Sequence, residues 1–298
     1  MSAEHSREKQ YTFHDEPPFD KLVGELSKER GSTKFLVFDN LEQVSSDNEI
    51  IRGIARLVIR LDNPRFALSG VRFIFVGVVS DMKHIVSSHD QSGSVANRLV
   101  ELPEVARLED QQSESLLDRG FTKLKIEFDN KTELLKAATD LADGNAQQIH
   151  ALGYQLACEA EKNNWKITQD QWESGCRFWI DENLAQQTSN VEARLNQNET
   201  KVQRRNQVLY CLAQSQKREF SPNEVEAVVR ETFPLTADAE RLGCDQILRG
   251  LAEGENPILS REPTSNSYRF KHPKLKIAAK TLLCINDEGQ VERLRPLA

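Results

Sequence analysis

The stretch KFLVFDNLEQV, residues 34–44, decides the fold of the first part of the chain. Four apolar residues, 35–38, run directly into Asp39, which is typical of a buried parallel strand that ends in a carboxylate. Open α/β sheets bind ligands at the carboxyl ends of their strands, so Asp39 stands where a metal-bound nucleotide would be held. An aspartate that caps the next helix or turn is the alternative that these residues leave open.

Strands and helices alternate through the first part of the chain. Apolar residues at helical spacing predict helices over 17–30 and 47–61, and Asp47 or Asn48 can cap the second. The continuous β-branched and aromatic run VRFIFVGVV (71–79) predicts a strand covered on both faces, and RLVELP (98–103) predicts a shorter one. Strands separated by helices imply a parallel sheet with right-handed crossovers.

The remainder of the chain has two patterns. Residues 109–200 show helical apolar spacing throughout, with Trp172 and Trp179 placed to share one face of a helix in its core. The last part predicts three helices, a hairpin and a closing helix, over 201–214, 221–233, 238–255, 257–272 and 273–283. Three helices followed by a hairpin are typical of a winged-helix domain. We therefore predict an α/β domain (1–108), an all-α domain (109–200) and a winged-helix domain (201–298).

Charge and cysteine content narrow the class of protein. The net charge of −7 argues against general nucleic-acid binding, but the charge is uneven. Residues 201–298 contain 16 Lys and Arg against 13 Asp and Glu, whereas the first 200 residues contain 23 against 33. The five cysteines form no close pair, and no apolar run approaches the roughly 20 residues of a membrane span. These features predict a cytoplasmic protein with reduced cysteines, no membrane partner and no zinc framework.

The order of these segments resembles the AAA+ ATPases, in the branch that contains the origin-recognition initiators. FLVFDN (35–40) resembles the Walker B strand, VRFIFVGVVSD (71–81) the sensor 1 strand, and GSVANRLVELPEV (93–105) the arginine and fifth strand. LEDQQSESLLDRGFTKL (108–124) and DLADGNAQQIHALGYQLACEA (140–160) are similar to the helical lid. YRFKHPKLKIAAKTLL (268–283) resembles the end of the winged-helix domain. The resemblance covers nearly the whole chain and implies a partial AAA+ core, a lid and a winged helix.

The resemblance also implies site residues. Asp39 would hold Mg²⁺ through water or the nucleotide, Ser80 stands nearest to the sensor 1 position, and Gln147 stands at the sensor 2 position. Arg98 would be the arginine finger, since arginine is permanently charged and bidentate. A surface ion pair is the alternative role for Arg98. ATP and Mg²⁺ are the cofactors that the resemblance implies.

Three departures from the family pattern bear on activity. No glycine lies in a G-x-x-x-x-G-K-[ST] loop, and RGSTKF (30–35) has neither the first glycine nor the required order. We therefore expect the chain to start inside the fold, with the first strand and phosphate-binding loop supplied from elsewhere. Asn40 replaces the glutamate that polarises the attacking water, and asparagine cannot accept a proton. Gln147 replaces an arginine, so whether the chain is an enzyme stays open.

The C-terminal domain offers a second kind of site. Arg261, Arg269, Lys271 and Lys274 are candidates for contact with a DNA backbone. The predicted recognition helix, 238–255, is acidic, which disfavours a position in the major groove. The residues therefore leave two roles equally open, DNA contact and docking, either to a protein or within the chain.

These observations combine into one prediction and one alternative. The prediction is an AAA+-type ATP-binding switch or regulator, with weak or absent ATP hydrolysis as an isolated chain. We expect the sheet to be completed by self-association or by a partner chain. The alternative is a winged-helix DNA-binding or protein-interaction scaffold with a degenerate nucleotide site.

Overall fold

The chain forms two compact units, residues 1–104 and 105–298, in a computed structural model. The residues that the structure describes are 17–31, 33–39, 41, 47–61, 63–76, 99–100, 102, 106–196, 202–238, 240–262 and 265–294. Each unit has its own hydrophobic clusters.

The first unit contains a parallel β-α-β arrangement. Its described elements are helices α1 (Pro18–Lys28), α2 (Asn48–Arg60) and α3 (Pro64–Ala67) and strands β1 (Lys34–Phe38) and β2 (Val71–Phe75). The strands pair in parallel from Lys34 opposite Val71 to Phe38 opposite Phe75. The predicted parallel pairing is therefore confirmed for these two strands, as is the helix between them.

The cap of α2 resolves one alternative left by the sequence. The Asp47 side chain accepts hydrogen bonds from the backbone N–H groups of Glu49 and Ile50, so Asp47 rather than Asn48 is the cap. The strand predicted over 71–79 is seen at Val71–Phe75, and residues 77–79 lie outside the described residues. In the segment 98–103, the described residues Leu99, Val100 and Leu102 are not part of a strand.

The two faces of this sheet differ. One face packs on α1 and α3 through a cluster built on Val23, Phe66 and Val71. On the other face, the side chains of Phe35 and Val37 are 60% and 52% exposed. A parallel sheet is normally covered on both faces, so the described residues leave one face of this sheet without its usual cover.

The second unit is mostly helical. Its first part contains helices α4 (Asp110–Leu124), α5 (Lys131–Leu141), α6 (Ala146–Lys162), α7 (Gln169–Asn183) and α8 (Ala185–Glu192), with a short parallel pair, β3 (Glu127–Phe128) and β4 (Lys166–Ile167). Trp179 is fully buried between α6 and α7 and donates its Nε1–H to Gln148 at 3.3 Å. Trp172 packs against the same cluster, so the predicted core role of both tryptophans is confirmed.

The C-terminal part follows the predicted order of elements. It contains α9 (Arg204–Gln214), α10 (Pro222–Thr232), α11 (Cys244–Ala252), β5 (Leu259–Glu262), β6 (Ser267–Phe270), α12 (Pro273–Leu282), β7 (Leu283–Ile285) and β8 (Val291–Arg293). Strands β5 and β6 form an antiparallel hairpin, and an isolated bridge joins Phe220 to Tyr268. Ser221 and Glu224 form a capping box at the start of α10. The closing hairpin of β7 and β8 was not predicted.

The helix predicted over 238–255 is wrong in its extent. The structure has a helix only at Cys244–Ala252, because Gly243 and Gly254 adopt φ values of +69° and +93° on either side of it. Of the acidic residues assigned to that helix, only Asp245 remains, and it is balanced by Arg249. The acidic character expected of the helix is therefore a property of the flanking loops.

All five cysteines are free, and three of them, Cys176, Cys211 and Cys244, are buried. Burial raises the pKa of Cys176 to about 12, so this thiol stays protonated at neutral pH. Within the described ranges, no helix combines the length and the apolar character that a membrane span requires.

The turn before α6 gives a stability prediction. Gly144 has φ +67°, and a Cβ atom there would lie 2.5 Å from the carbonyl oxygen of Leu108. We expect Gly144→Ala to lower the free energy of unfolding by about 2 kcal/mol or more, from backbone strain and this close approach together. Urea unfolding followed by circular dichroism measures the change.

Gly120 provides the matched control for that substitution. It lies inside α4, and a Cβ atom there would have no heavy atom within 4 Å. We expect Gly120→Ala to raise the free energy of unfolding by about 0.5–1 kcal/mol. Equal effects of the two substitutions would contradict the strain assigned to Gly144.

Candidate functional site

Asp39 lies at the carboxyl edge of the β1–β2 sheet. It follows Phe38 directly, and its side chain is exposed. Beyond the strands the two chain segments stay side by side, because Val76 N–H donates to the Phe38 carbonyl at 2.8 Å and Leu41 N–H donates to the Val76 carbonyl at 3.1 Å. Asp39 and the segment that follows β2 therefore emerge at the same edge of the sheet.

This edge suits one part of a magnesium–nucleotide complex. Mg²⁺ is commonly held by one or two protein carboxylates together with phosphate oxygens and water, and Asp39 is a residue of that type. A phosphate-binding loop instead requires backbone N–H groups at a turn between a strand and a helix. In the described part of the first unit, the glycines with positive φ are Gly31 and Gly70, and each precedes a strand. The described residues fit a magnesium ligand and do not provide the phosphate cradle.

Several predicted site residues are beyond what the structure describes. Asn40, Ser80 and Arg98 lie outside the described residues. Among the residues that are described, no group of three or more histidine, cysteine or acidic side chains is arranged to hold a metal ion. The roles assigned to Asn40, Ser80 and Arg98 stay predictions.

Gln147 lies in the first turn of α6, in the second unit. The preceding turn is shaped by Gly144, and the Asn145 side chain caps the helix by accepting from Gln148 N–H at 3.0 Å. Gln147 is exposed, whereas Gln148 is buried and bonded to Trp179. A glycine-containing turn thus leads into the helix, and the exposed side chain at the predicted sensor 2 position, Gln147, is an amide.

The basic residues of the C-terminal part do not form a single surface. Arg261 pairs with Tyr268 across the hairpin, and Arg269 pairs with Ser260 at the next position of the ladder. Side chains of successive positions point to opposite faces, so Arg261 and Arg269 lie on opposite faces of the hairpin. Arg261 is also bonded to Asn266 Oδ1 across the turn, at 2.7 Å through its Nη2.

The other two candidates for DNA contact also differ from each other. Lys271 is exposed after β6, whereas the Lys274 ammonium donates to the carbonyl of Asn183, at the end of α7, at 3.3 Å. The structure therefore places Lys274 against the first helices of this unit. Of the four candidates for DNA contact, this leaves Arg269 and Lys271, which are close in the sequence at the end of the hairpin.

Two further lysines of α12 form an ionic clasp with the turn after α5. Lys276 Nζ donates to both carboxylate oxygens of Asp143 at 2.7 and 2.8 Å, and Arg107 adds a second cation at 3.2 Å. Lys280 Nζ donates to the carboxylate of Asp140 at 2.6 Å and to its carbonyl at 2.8 Å. Burial lowers the pKa of Lys276, and the hydrogen bonds that its ammonium donates to Asp143 oppose that effect. Sequence reasoning missed this clasp, although Lys276 and Lys280 are spaced to share a helix face.

A cleft of about 160 Å³ lies beside the clasp. Its lining includes Arg107, Asp140, Asp143 and Lys280, together with Thr139, whose buried hydroxyl has no hydrogen-bond partner. The acidic residues of the clasp are satisfied by its basic residues, so these charges hold α12 against α5 rather than face a ligand. Helix α12 thereby joins the two halves of the second unit.

Comparison with known proteins gives only distant matches. No known protein family matches the sequence as a profile, and no curated protein matches it. A Walker-type ATPase of Pyrococcus abyssi is similar in structure with a TM-score of 0.48 and 16% identity, over 88% of this chain and 65% of that one. This chain therefore spans slightly less than two thirds of that protein.

Two further solved structures are also similar. The ORC2 protein of Aeropyrum pernix, in complexes with ADPNP and ADP, matches with a TM-score of 0.41 and 14% identity, over 91% of this chain and 72% of that one. Cdc6p from Pyrobaculum aerophilum matches with a TM-score of 0.37 and 15% identity, over 88% of this chain and 69% of that one. Matches at these TM-scores assign neither a family nor an activity to this chain.

The clasp generates a prediction about stability. Asp143→Asn would leave Lys276, which is 7% exposed, without an anionic partner. We expect this variant to lose about 3–5 kcal/mol in free energy of unfolding, since an unpaired buried charge is costly. Asparagine tolerates the backbone φ of +49° at this position, so the loss would come from the charge. Urea unfolding measures it.

Two further variants separate the ion pair from general disruption. Asp129→Asn should cost less than about 1 kcal/mol, because Asp129 and its partner Lys166 are both about half exposed. The double variant Asp143→Asn with Lys276→Met should recover most of the stability, since it removes both charges. A loss from Asp143→Asn no larger than that from Asp129→Asn would contradict the assigned role of the buried pair.

Proposed function

We propose that this chain is an AAA+-type regulator that responds to a nucleotide, with Asp39 as its magnesium-facing carboxylate. The observation that carries the proposal is the parallel pairing of β1 with β2, which puts Asp39 at the carboxyl edge of an α/β sheet. Ligands of open α/β sheets bind at that edge. The resemblance in motif order supports the same assignment along the rest of the chain.

In this proposal the chain by itself hydrolyses ATP slowly or not at all. Asn40 cannot accept a proton from the attacking water, and Gln147 offers an amide where a cation would meet the terminal phosphate. Neither the described residues nor the motifs supply a phosphate-binding loop. The nucleotide would therefore act as a conformational signal and not as a substrate that turns over rapidly.

The phosphate-binding part would come from strands that complete the sheet. Phe35 and Val37 present an exposed apolar face, and a pair of parallel strands has open edges that attract further strands. We propose that residues outside the described ones, a second copy of the chain or a partner chain provide these strands. We place the protein in the cytoplasm, with no membrane partner.

A second candidate function is DNA binding by a winged-helix domain. The observation that favours it is the Phe220–Tyr268 bridge. Phe220 lies between α9 and α10, and the bridge adds this segment to the β5–β6 hairpin as a third short strand-like piece. Helix α11 presents Gln246 and Arg249 at exposed positions, and both are residue types that read base edges. Its near-neutral charge supports DNA contact more than the acidic helix expected from the sequence did. Docking of a protein on the same helix is the alternative.

Calorimetric titration of the purified chain with Mg-ATP tests the nucleotide proposal. We expect saturable binding that Asp39→Ala weakens by about tenfold or more, because a charged interaction with the metal is lost. Glu25→Ala is the matched control, since that exposed carboxylate is bonded to Lys28 on α1. Its affinity should equal that of the unaltered chain. Equal binding by Asp39→Ala and by the unaltered chain would overturn the assignment of Asp39. No binding at millimolar Mg-ATP would exclude completion of the site by the chain itself or by a second copy.

The DNA-binding alternative has its own test. If the hairpin follows a DNA backbone, the double variant Arg269→Glu with Lys271→Glu should lose most duplex affinity and show a shallower dependence on salt. Fluorescence anisotropy with a labelled duplex at several salt concentrations measures both quantities. Lys123→Glu with Lys125→Glu, at the end of α4, is the charge-matched control. Unchanged duplex binding by the hairpin variant would dispose of this function.

A further inference from the structure

A cavity of about 210 Å³ lies at the start of α9. It is bounded by Asn196 on one side and by Ile247 of α11 on the other, and its remaining lining residues are Val202, Gln203, Arg204 and Arg205. Two cations and two amides thus face an opening next to the helix that is the candidate for base contact. Among the described residues that line this cavity, none is acidic.

The two arginines differ in the hydrogen bonds that their side chains make. Arg204 is held in place, because its guanidinium donates to Gln207 Oε1 at 2.7 Å and to the carbonyl of Thr236. Arg205 is anchored only through its backbone, whose N–H donates to Asn196 Oδ1 at 3.0 Å. The Nε atom of Arg205 is buried without a hydrogen-bond partner. Because this Nε atom is buried, a ligand in the cavity would meet the guanidinium through its Nη groups, which make no hydrogen bond within the described residues.

The charges that act on Arg204 are of both signs. The carboxylates that act on Arg204 are those of Asp238 and Glu226, and Glu226 is bonded to Arg230. Burial is the largest influence on Arg204 and lowers its pKa, because desolvation disfavours the charged form. An anion in the cavity would offset that desolvation of Arg204.

The amino end of α9 and a nearby side-chain amide add N–H donors. Gln203, the residue before α9, adopts φ +47° and makes no side-chain cap on the helix. The amino end of a helix carries a partial positive charge that favours anions. The side-chain amide of Asn196 adds a further N–H donor, since only its oxygen is bonded to the backbone of Arg205.

We propose that this cavity is a binding site for a phosphate group, held by the guanidinium of Arg205 with Arg204 as the positioned second cation. Guanidinium groups match the oxygens of phosphate in a planar, bidentate geometry. The phosphate belongs either to a nucleic-acid backbone or to a small free ligand, and both present the same chemistry. The site does not depend on nucleotide binding by the first unit, so its test is independent of Asp39.

The first arm of the experiment uses inorganic phosphate. The full-length chain is titrated with sodium phosphate at constant ionic strength, and the backbone amide NMR signals of the first turn of α9 are followed. We expect saturable shifts, with an affinity that falls about tenfold or more in Arg205→Gln. Arg205→Lys, which keeps the charge but loses the planar group, should bind with intermediate affinity. Arg293→Gln, an exposed arginine on β8, is the matched control and should bind like the unaltered chain.

The second arm distinguishes the two sources of the phosphate. A DNA duplex of each of two unrelated sequences is titrated over a range of salt concentrations. If the phosphate belongs to a nucleic acid, Arg205→Gln weakens binding to both sequences alike and lowers the salt slope by about 1. If only the inorganic phosphate arm responds, the ligand is a small phosphate compound.

Either of two results would exclude a phosphate site in this cavity. If Arg205→Gln binds inorganic phosphate and both duplexes as the unaltered chain does, or if the unaltered chain binds neither, the cavity is not a phosphate site. The variant should fold, because the guanidinium makes no hydrogen bond within the described residues and its backbone bond to Asn196 remains. Amide signals elsewhere in the second unit report whether it has.

Discussion

The second unit depends on one buried ion pair, Lys276 with Asp143. The pair joins the last long helix to a turn 133 residues earlier in the chain. Its geometry is supported from both sides, by Arg107 on the carboxylate and by Ile277, the next residue of α12, in the core of the first helices. Because other residues of α12 pack in the C-terminal core, the same helix serves two clusters. Movement of one half of this unit would therefore carry the other half with it.

The same arrangement separates two groups of cations that look alike in the sequence. Lys274, Lys276 and Lys280 seem to extend a basic surface from the hairpin, but all three are engaged with the first helices of the unit. Lysines inside such an interface cannot also follow a phosphate backbone. Among the described cations of the C-terminal part, Arg205, at the start of α9 and far from the hairpin in the sequence, has a buried Nε atom without a hydrogen-bond partner. Counting positive charges along the chain therefore gives a misleading picture of where an anion would bind.

Local patterns predicted local structure well. The apolar run before Asp39 and the run from Val71 are the two paired strands, and Ser221 with Pro222 begins a helix as expected. The failures have local causes too. Helix 238–255 was overextended because helical apolar spacing continued through glycines that adopt positive φ. The β7–β8 hairpin was missed because each of its strands has only three residues.

By itself, the sequence determined the α/β character of the first unit, the carboxylate at a strand end, the helical middle of the chain and the helix–hairpin order of its end. These features follow from side-chain periodicity and from capping residues, which act over a few positions. Only the tertiary structure decided that Lys276 faces Asp143, that Arg261 and Arg269 lie on opposite faces, and that the Arg205 guanidinium is left without an acceptor. Such pairings join distant segments, and their partners are selected by packing and desolvation rather than by spacing along the chain.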